Sequence, residues 1–169
     1  MLRQALVSGA IWGIFPKSGD FWGVLPGPAM QLHGEFQHHI DTQGRVAIPA
    51  RYRDVFKAGV FVTKGFDPCV WVFSPDEWEN YSARYAATSP NSRQARILRR
   101  RVFGSTFELE LDRQGRAVIP QPLRQYAGLK DEVVIVGAGT WLEIWDKEQW
   151  DAQLEEIESA LNEAEEAIE

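Results

Sequence analysis

The chain has 169 residues, 44% hydrophobic and 12% aromatic, enough to fill the core of one ordinary domain or two small ones. Its single cysteine, Cys69, excludes an intrachain disulfide and reads as a small buried thiol in a reducing compartment, and no run of about eighteen apolar residues is there to span a bilayer. The net charge of -6 would argue against a nucleic-acid partner if the acids were spread evenly, but residues 151–169 hold eight of the 24 acids and no base, leaving 18 bases against 16 acids before them.

Residues 1–30 carry five of the 14 glycines and three of the nine prolines with no sustained period, so residues 1–29 read as an atypical extension, disordered or a mis-assigned start ahead of Met30. Arg3 and the apolar run Ala5 to Phe15 faintly resemble a signal peptide, without a clear small-residue cleavage site.

From Gly34 onward the sequence repeats itself. Asp41 to Arg53, DTQGRVAIPARYR, and Asp112 to Arg124, DRQGRAVIPQPLR, agree at seven of thirteen positions at an offset of 71, where chance gives roughly one. Downstream the offset becomes 72: Gly59–Val62 answers Asp131–Val134, Val70–Phe73 answers Leu142–Trp145, and Trp78 answers Trp150.

Each copy predicts strand, turn, strand, short helix, strand, strand, helix. Phe36–Ile40 and Arg45–Ile48, like Phe107–Leu111 and Arg116–Ile119, read as antiparallel strands around a glycine-bearing loop, a hairpin. Pro49 and Pro120 fit the first position of the brief helices Arg51–Phe56 and Leu123–Ala127. Val60–Thr63 with Val70–Phe73, and Val133–Val136 with Trp141–Trp145, predict further hairpins. Between the copies Pro90 breaks one helix and Ser92 starts another. At the end Trp150, Leu154, Ile157, Leu161, Ala164 and Ile168 trace an apolar stripe on a helix.

The chemistry concentrates in the turn. Asp41 and Asp112 open the loops and can accept backbone N–H bonds, Gly44 and Gly115 can take the positive φ that such a loop wants, and Arg45 and Arg116 begin the returning strands. A carboxylate across the turn can hold its guanidinium. Once, this would be a well-made turn with a surface ion pair. Twice in register, it reads as a pair of fixed arginines whose planar forks suit phosphate oxygens or a guanine edge, on a β-ribbon of a width that fits the major groove.

The stretches GEFQHHIDTQGRVAIPARYR, FELELDRQGRAVIPQPLRQYAGL and VVIVG…LEIWDKEQW resemble the MraZ family, whose members carry two SpoVT-AbrB-type units in one chain; the resemblance covers about residues 30 to 150. It implies an α+β, mainly β fold of duplicated AbrB-like swapped-hairpin β-barrel halves with short helices. The units span 30–78 and 105–150, joined by a helical linker over 79–104 and followed by an acidic amphipathic helix over 151–169. It further implies a transcriptional regulator, not an enzyme, that binds repeated boxes in double-stranded DNA upstream of its own division and cell-wall operon through Arg45 and Arg116. Such a regulator is expected in the cytoplasm and nucleoid as a homo-oligomeric ring. No cofactor or metal is expected.

Arg93, Arg96, Arg99, Arg100 and Arg101 form the densest basic run, open to phosphate contact, to a solvated helix face or to pairing with the acidic tail. His33, His38 and His39 with Glu35 and Asp41 are a poor metal set, since adjacent strand residues point to opposite faces. The tryptophans read as core. Two other functions are weaker: an antitoxin-like module, against which the duplication counts, and a hydrolase using His38 or His39 with Asp41, for which no nucleophile motif is present.

Overall fold

The computed structural model describes residues 31–166, so the extension read over 1–29 and the last stripe position, Ile168, lie outside the described residues. The chain forms β1 (Glu35–His39), β2 (Arg45–Ala47), β3 (Val60–Lys64), β4 (Val70–Phe73), α1 (Pro75–Ala86) and α2 (Arg93–Phe103). It continues as β5 (Phe107–Leu109), β6 (Arg116–Val118), α3 (Gln121–Tyr126), β7 (Glu132–Gly137), β8 (Leu142–Asp146) and α4 (Lys147–Glu166). A 3-10 turn at Ala50–Tyr52 takes in the first repeat the place of α3 in the second. Pro49 and Pro120 stand just ahead of these segments rather than inside them, and the proline within the first turn of α3 is Pro122.

The fold is mixed α+β, with antiparallel pairing throughout. Six strands form one sheet in the order β1-β7-β8-β4-β3-β5, and β2 and β6 form a separate two-stranded ribbon. The hairpins expected from β3 with β4 and from β7 with β8 are present. Those expected from β1 with β2 and from β5 with β6 are closed only at their turns. Past the turn, β1 pairs with β7 of the other repeat, β5 pairs with β3, and β2 pairs with β6. The reason lies in unpaired edges. Each repeat's long hairpin would leave a row of backbone donors and acceptors open, and the other repeat's first strand satisfies them.

The register also corrects the alignment of the repeats. Phe36 faces Ile135 across β1 and β7, and Phe107 faces Val62 across β5 and β3, so Val62 corresponds to Ile135, not to Val134. A slip of one residue moves a strand's side chains to the opposite face. Burial agrees with the structural register: Val60, Val62, Val133 and Ile135 enter one core, while Val134 enters another.

Alternation along the strands thus builds two apolar layers. One face of the sheet, with Val70, Val72, Leu142 and Ile144, packs on the ribbon's Val46 and Ala117 and on Ile48, Tyr52, Phe56, Ile119 and Leu123. The other face packs Cys69, Trp71, Phe73, Val134 and Trp145 against Trp78, Val102 and Trp150. Trp78 stacks on Phe61 at 5.6 Å and Trp150 lies 5.5 Å from Trp145, so these tryptophans are core residues. Burial raises the Cys69 thiol.

The helices begin where the strands end. Ser74 caps α1 by accepting from the Glu77 N–H, and its counterpart Asp146 accepts from Glu148 N–H at the start of α4. Ser92 caps α2 in the same way through Ala95 N–H.

Candidate nucleic-acid interface

The two motif turns are nearly the same object. Asp41 Oδ1 accepts from the Gln43 and Arg45 N–H groups, each at 2.9 Å, and Oδ2 accepts from Arg45 Nε at 2.6 Å. Asp112 Oδ1 accepts from Gln114 and Arg116 N–H at 2.8 and 3.0 Å, and Oδ2 from Arg116 Nε at 2.8 Å. Gly44 and Gly115, at φ 79° and 74°, close the turns by donating to the Asp41 and Asp112 carbonyls, each at 2.9 Å. Arg45 and Arg116 backbone N–H groups hold both aspartates below the usual carboxylate range, helped by their side chains and by Gln43 and Gln114 N–H.

Each carboxylate engages Nε, the inner nitrogen of the guanidinium. The two terminal nitrogens, the pair that grips a guanine edge or phosphate, make no hydrogen bond among the described residues. Arg116 Nη1 also lies 4.0 Å from Asp41 Oδ2, which ties the turns to one another.

Tertiary structure brings the turns side by side. In the ribbon Arg45 faces Val118, Val46 faces Ala117 and Ala47 faces Arg116. Ile48 N–H donates to the Gly115 carbonyl and Ile119 N–H to the Gly44 carbonyl, at 2.9 and 2.8 Å. Val46 and Ala117 point into the core, so the ribbon's outer face carries Arg45, Ala47, Arg116 and Val118. The arginines sit on a diagonal, 31% and 27% exposed in their side chains, with Val118, 51% exposed, beside Arg45. All six residues singled out in the sequence, Asp41, Gly44, Arg45, Asp112, Gly115 and Arg116, therefore meet on one surface.

A second pair of arginines belongs to this surface. Each motif ends in an arginine, and each lies against the other repeat's glycine: a Cβ on Gly44 would meet Arg124 Cζ at 2.9 Å, and one on Gly115 would meet Arg53 Nε at 2.4 Å. Glycine is favoured at both positions by its φ, and a Cβ there would displace the guanidinium packed on it. Arg53 Nε donates to the Ile48 carbonyl, and burial together with the Arg53 charge lowers the His38 pKa. The signal for this pair was present in the repeat, as the identity of Arg53 and Arg124, but not its direction across the two halves.

The family described as "MraZ protein, putative antitoxin-like" matches residues 31–101 and again 102–169. The chain belongs to the MraZ family. It is 40% identical over 121 residues to the transcriptional regulator MraZ of Acetivibrio thermocellus, covering 72% of this chain and 85% of that one. It is 42% identical over 122 residues to the one of Thermomicrobium roseum, covering 72% and 86%. With that of Desulforamulus reducens it shares 39% over 135 residues, covering 80% and 95%.

In this MraZ-family chain three of the five arginines in the basic run of α2 are hydrogen-bonded to carbonyls of the chain. Arg99 donates to the Tyr85 and Ala86 carbonyls at the end of α1, Arg96 to the Pro90 and Asn91 carbonyls, and Arg101 to the Gly65 carbonyl at 2.6 Å. The side chains of Arg93 and Arg100 make no hydrogen bond or ion pair among the described residues. His33 Nδ1 lies 3.2 Å from the Tyr52 hydroxyl, and no three His, Cys, Asp or Glu gather as metal ligands among the described residues. No described helix is long and apolar enough to cross a membrane.

Proposed function

We propose that this protein is a transcriptional regulator, not an enzyme, that binds repeated boxes in double-stranded DNA upstream of its own division and cell-wall operon. Arg45 and Arg116 make the contact. The observation that carries this reading is the paired turn: two guanidinium groups, each held at Nε by its own aspartate, on the outer face of a two-stranded ribbon. A ribbon of this kind fits the major groove, where a fork with both terminal nitrogens available reads guanine or clamps phosphate. The exchange of β1 and β5 between the repeats supports describing the halves, over 30–78 and 105–150, as AbrB-like swapped-hairpin barrel units joined by the 79–104 linker. The protein acts in the cytoplasm at the nucleoid, as a homo-oligomeric ring in which many ribbons face DNA at once and modest contacts add as avidity.

The test is a binding titration on the DNA upstream of the protein's own gene, at several salt concentrations, with wild type and with Arg45→Ala plus Arg116→Ala. Affinity should fall steeply with salt and collapse in the variant. A folded double variant that binds as wild type does would remove these residues from the interface.

A further inference from the structure

We propose that Val118 is a specificity-determining residue of the ribbon, packing on the 5-methyl group of a thymine in the base pair next to the one engaged by Arg45. This deepens the DNA-binding reading above and rests on it.

The case begins with an apolar side chain out of place. Among the described residues seven large hydrophobic side chains are exposed, and Val118 is the only one of them in a strand. Its neighbours Ala117 and Ile119 point the other way and are buried in the core. At 51% exposure Val118 adds little to that core, and threonine would fit the strand as well while placing a hydroxyl among the charges.

Its setting is the candidate interface itself. Val118 faces Arg45 directly across the ribbon. Hydrogen bonds join Ile119 N–H to the Gly44 carbonyl and Ile48 N–H to the Gly115 carbonyl. Because an antiparallel ladder alternates, Arg45 and Val118 form a non-hydrogen-bonded pair, the kind whose side chains stand closest, with Cβ atoms about 5 Å apart. Asp41 anchors Arg45 at Nε, so the valine stands at a set place beside the fork.

That separation suits a duplex. Successive nucleotides of a strand rise by about 3.4 Å, so a ribbon laid in the major groove with the Arg45 fork on one base edge sets Val118 over an adjoining pair. Valine carries no hydrogen-bonding group and cannot read donors or acceptors there. The apolar feature the major groove offers is the thymine methyl, which cytosine, adenine and guanine lack. The side chain therefore selects its own contact.

The other turn does not share this element. Ala47 stands opposite Arg116 as Val118 stands opposite Arg45, but alanine is shorter and here half-buried. Methyl recognition belongs to the Arg45 side of the ribbon.

The test measures binding of the full chain to the DNA upstream of its own gene, prepared either with thymine or with deoxyuracil in its place throughout. The exchange removes methyl groups and keeps every donor, acceptor and phosphate. Wild type should bind the methyl-free duplex about fourfold more weakly, the worth of one buried methyl group, and Val118→Ala should bind both duplexes alike. Val118→Ile, which keeps the apolar reach, should retain the difference. A change in duplex shape acts on all three proteins equally, so the contrast between them reports the contact. Equal sensitivity in wild type and Val118→Ala, or none in wild type, overturns the proposal while binding that depends on Arg45 and Arg116 stays intact. A wild type that does not bind the thymine duplex overturns the DNA-binding reading with it. Val118→Ala should keep the wild-type circular dichroism and mass in solution; a lower mass makes Val118 a contact between copies, and the proposal is wrong.

Discussion

Two sets of arginines divide this molecule. Five lie within nine residues of α2, the densest positive charge in the sequence, and two, Arg45 and Arg116, begin the returning strands at the turns of the ribbon. In α2 three of the five are consumed as internal donors: Arg99 and Arg96 satisfy helix-end and loop carbonyls, and Arg101 bridges to Gly65 and Ser105. At the turns each arginine side chain is hydrogen-bonded only through Nε, with Arg116 Nη1 a further 4.0 Å from Asp41 Oδ2, and the terminal nitrogens make no hydrogen bond among the described residues. Charge density therefore points away from the candidate interface. What marks it is a guanidinium whose position is set by one nitrogen while two remain for a ligand.

The largest effect expected from this contrast is on DNA binding by Arg45→Ala and Arg116→Ala, about 1–3 kcal/mol for each arginine that reads a base or phosphate. Unfolding in urea should be nearly unchanged, since both side chains reach solvent. Arg101→Ala should do the reverse. It leaves the Gly65 carbonyl and the Tyr126 hydroxyl without a cationic donor and should lower unfolding stability by about 1–3 kcal/mol. The folded variant's affinity for DNA should stay at the wild-type value. Equal losses of affinity in the two variants would erase the distinction between the sets.

Gly115→Ala probes the coupling between the repeats. The φ of 74° and the Arg53 guanidinium in the path of a new Cβ should together cost about 1–2 kcal/mol of stability, and DNA binding should weaken because the neighbouring turn shifts. A similar loss from Arg53→Ala in affinity, without the loss in stability, would separate strain from positioning.

The smallest effects are those of pH. Asp41 and Asp112 are lowered, so their contribution is present above the ordinary carboxylate pKa and is lost only as pH falls through their depressed folded values. DNA affinity should therefore not be lost through these turns between pH 7 and 5. His38 is lowered as well, so the unfolded chain binds more protons than the folded one in its range. Stability should decline slightly on acidification through that window, and His38→Gln should abolish the decline. A drop in affinity that survives in His38→Gln would assign titration to another group at the interface.

Much of this was legible in the chain. The duplication, the Asp-to-Arg turn, the glycine φ, the hairpins β3–β4 and β7–β8 and the capped start of α2 all follow from local residue choice, since turn chemistry and alternation act over a few residues. Three features were not. The one-residue difference in register between Val62 and Ile135 is invisible to an alignment of similar apolar runs. The carbonyl bonds of Arg96, Arg99 and Arg101 depend on acceptors up to 37 residues away in sequence. The packing of Arg53 and Arg124 on the opposite glycines depends on partners more than 60 residues distant.

The amino-acid sequence by itself determined that there are two units, where each turns, and which carboxylate holds which arginine, because those interactions close within five residues. Only the tertiary structure decided that the two turns share one ribbon. Each repeat's first strands have backbone groups that its own hairpin does not satisfy, and the nearest complementary edge belongs to the other repeat. That exchange places Arg45 and Arg116 on a common face of the ribbon.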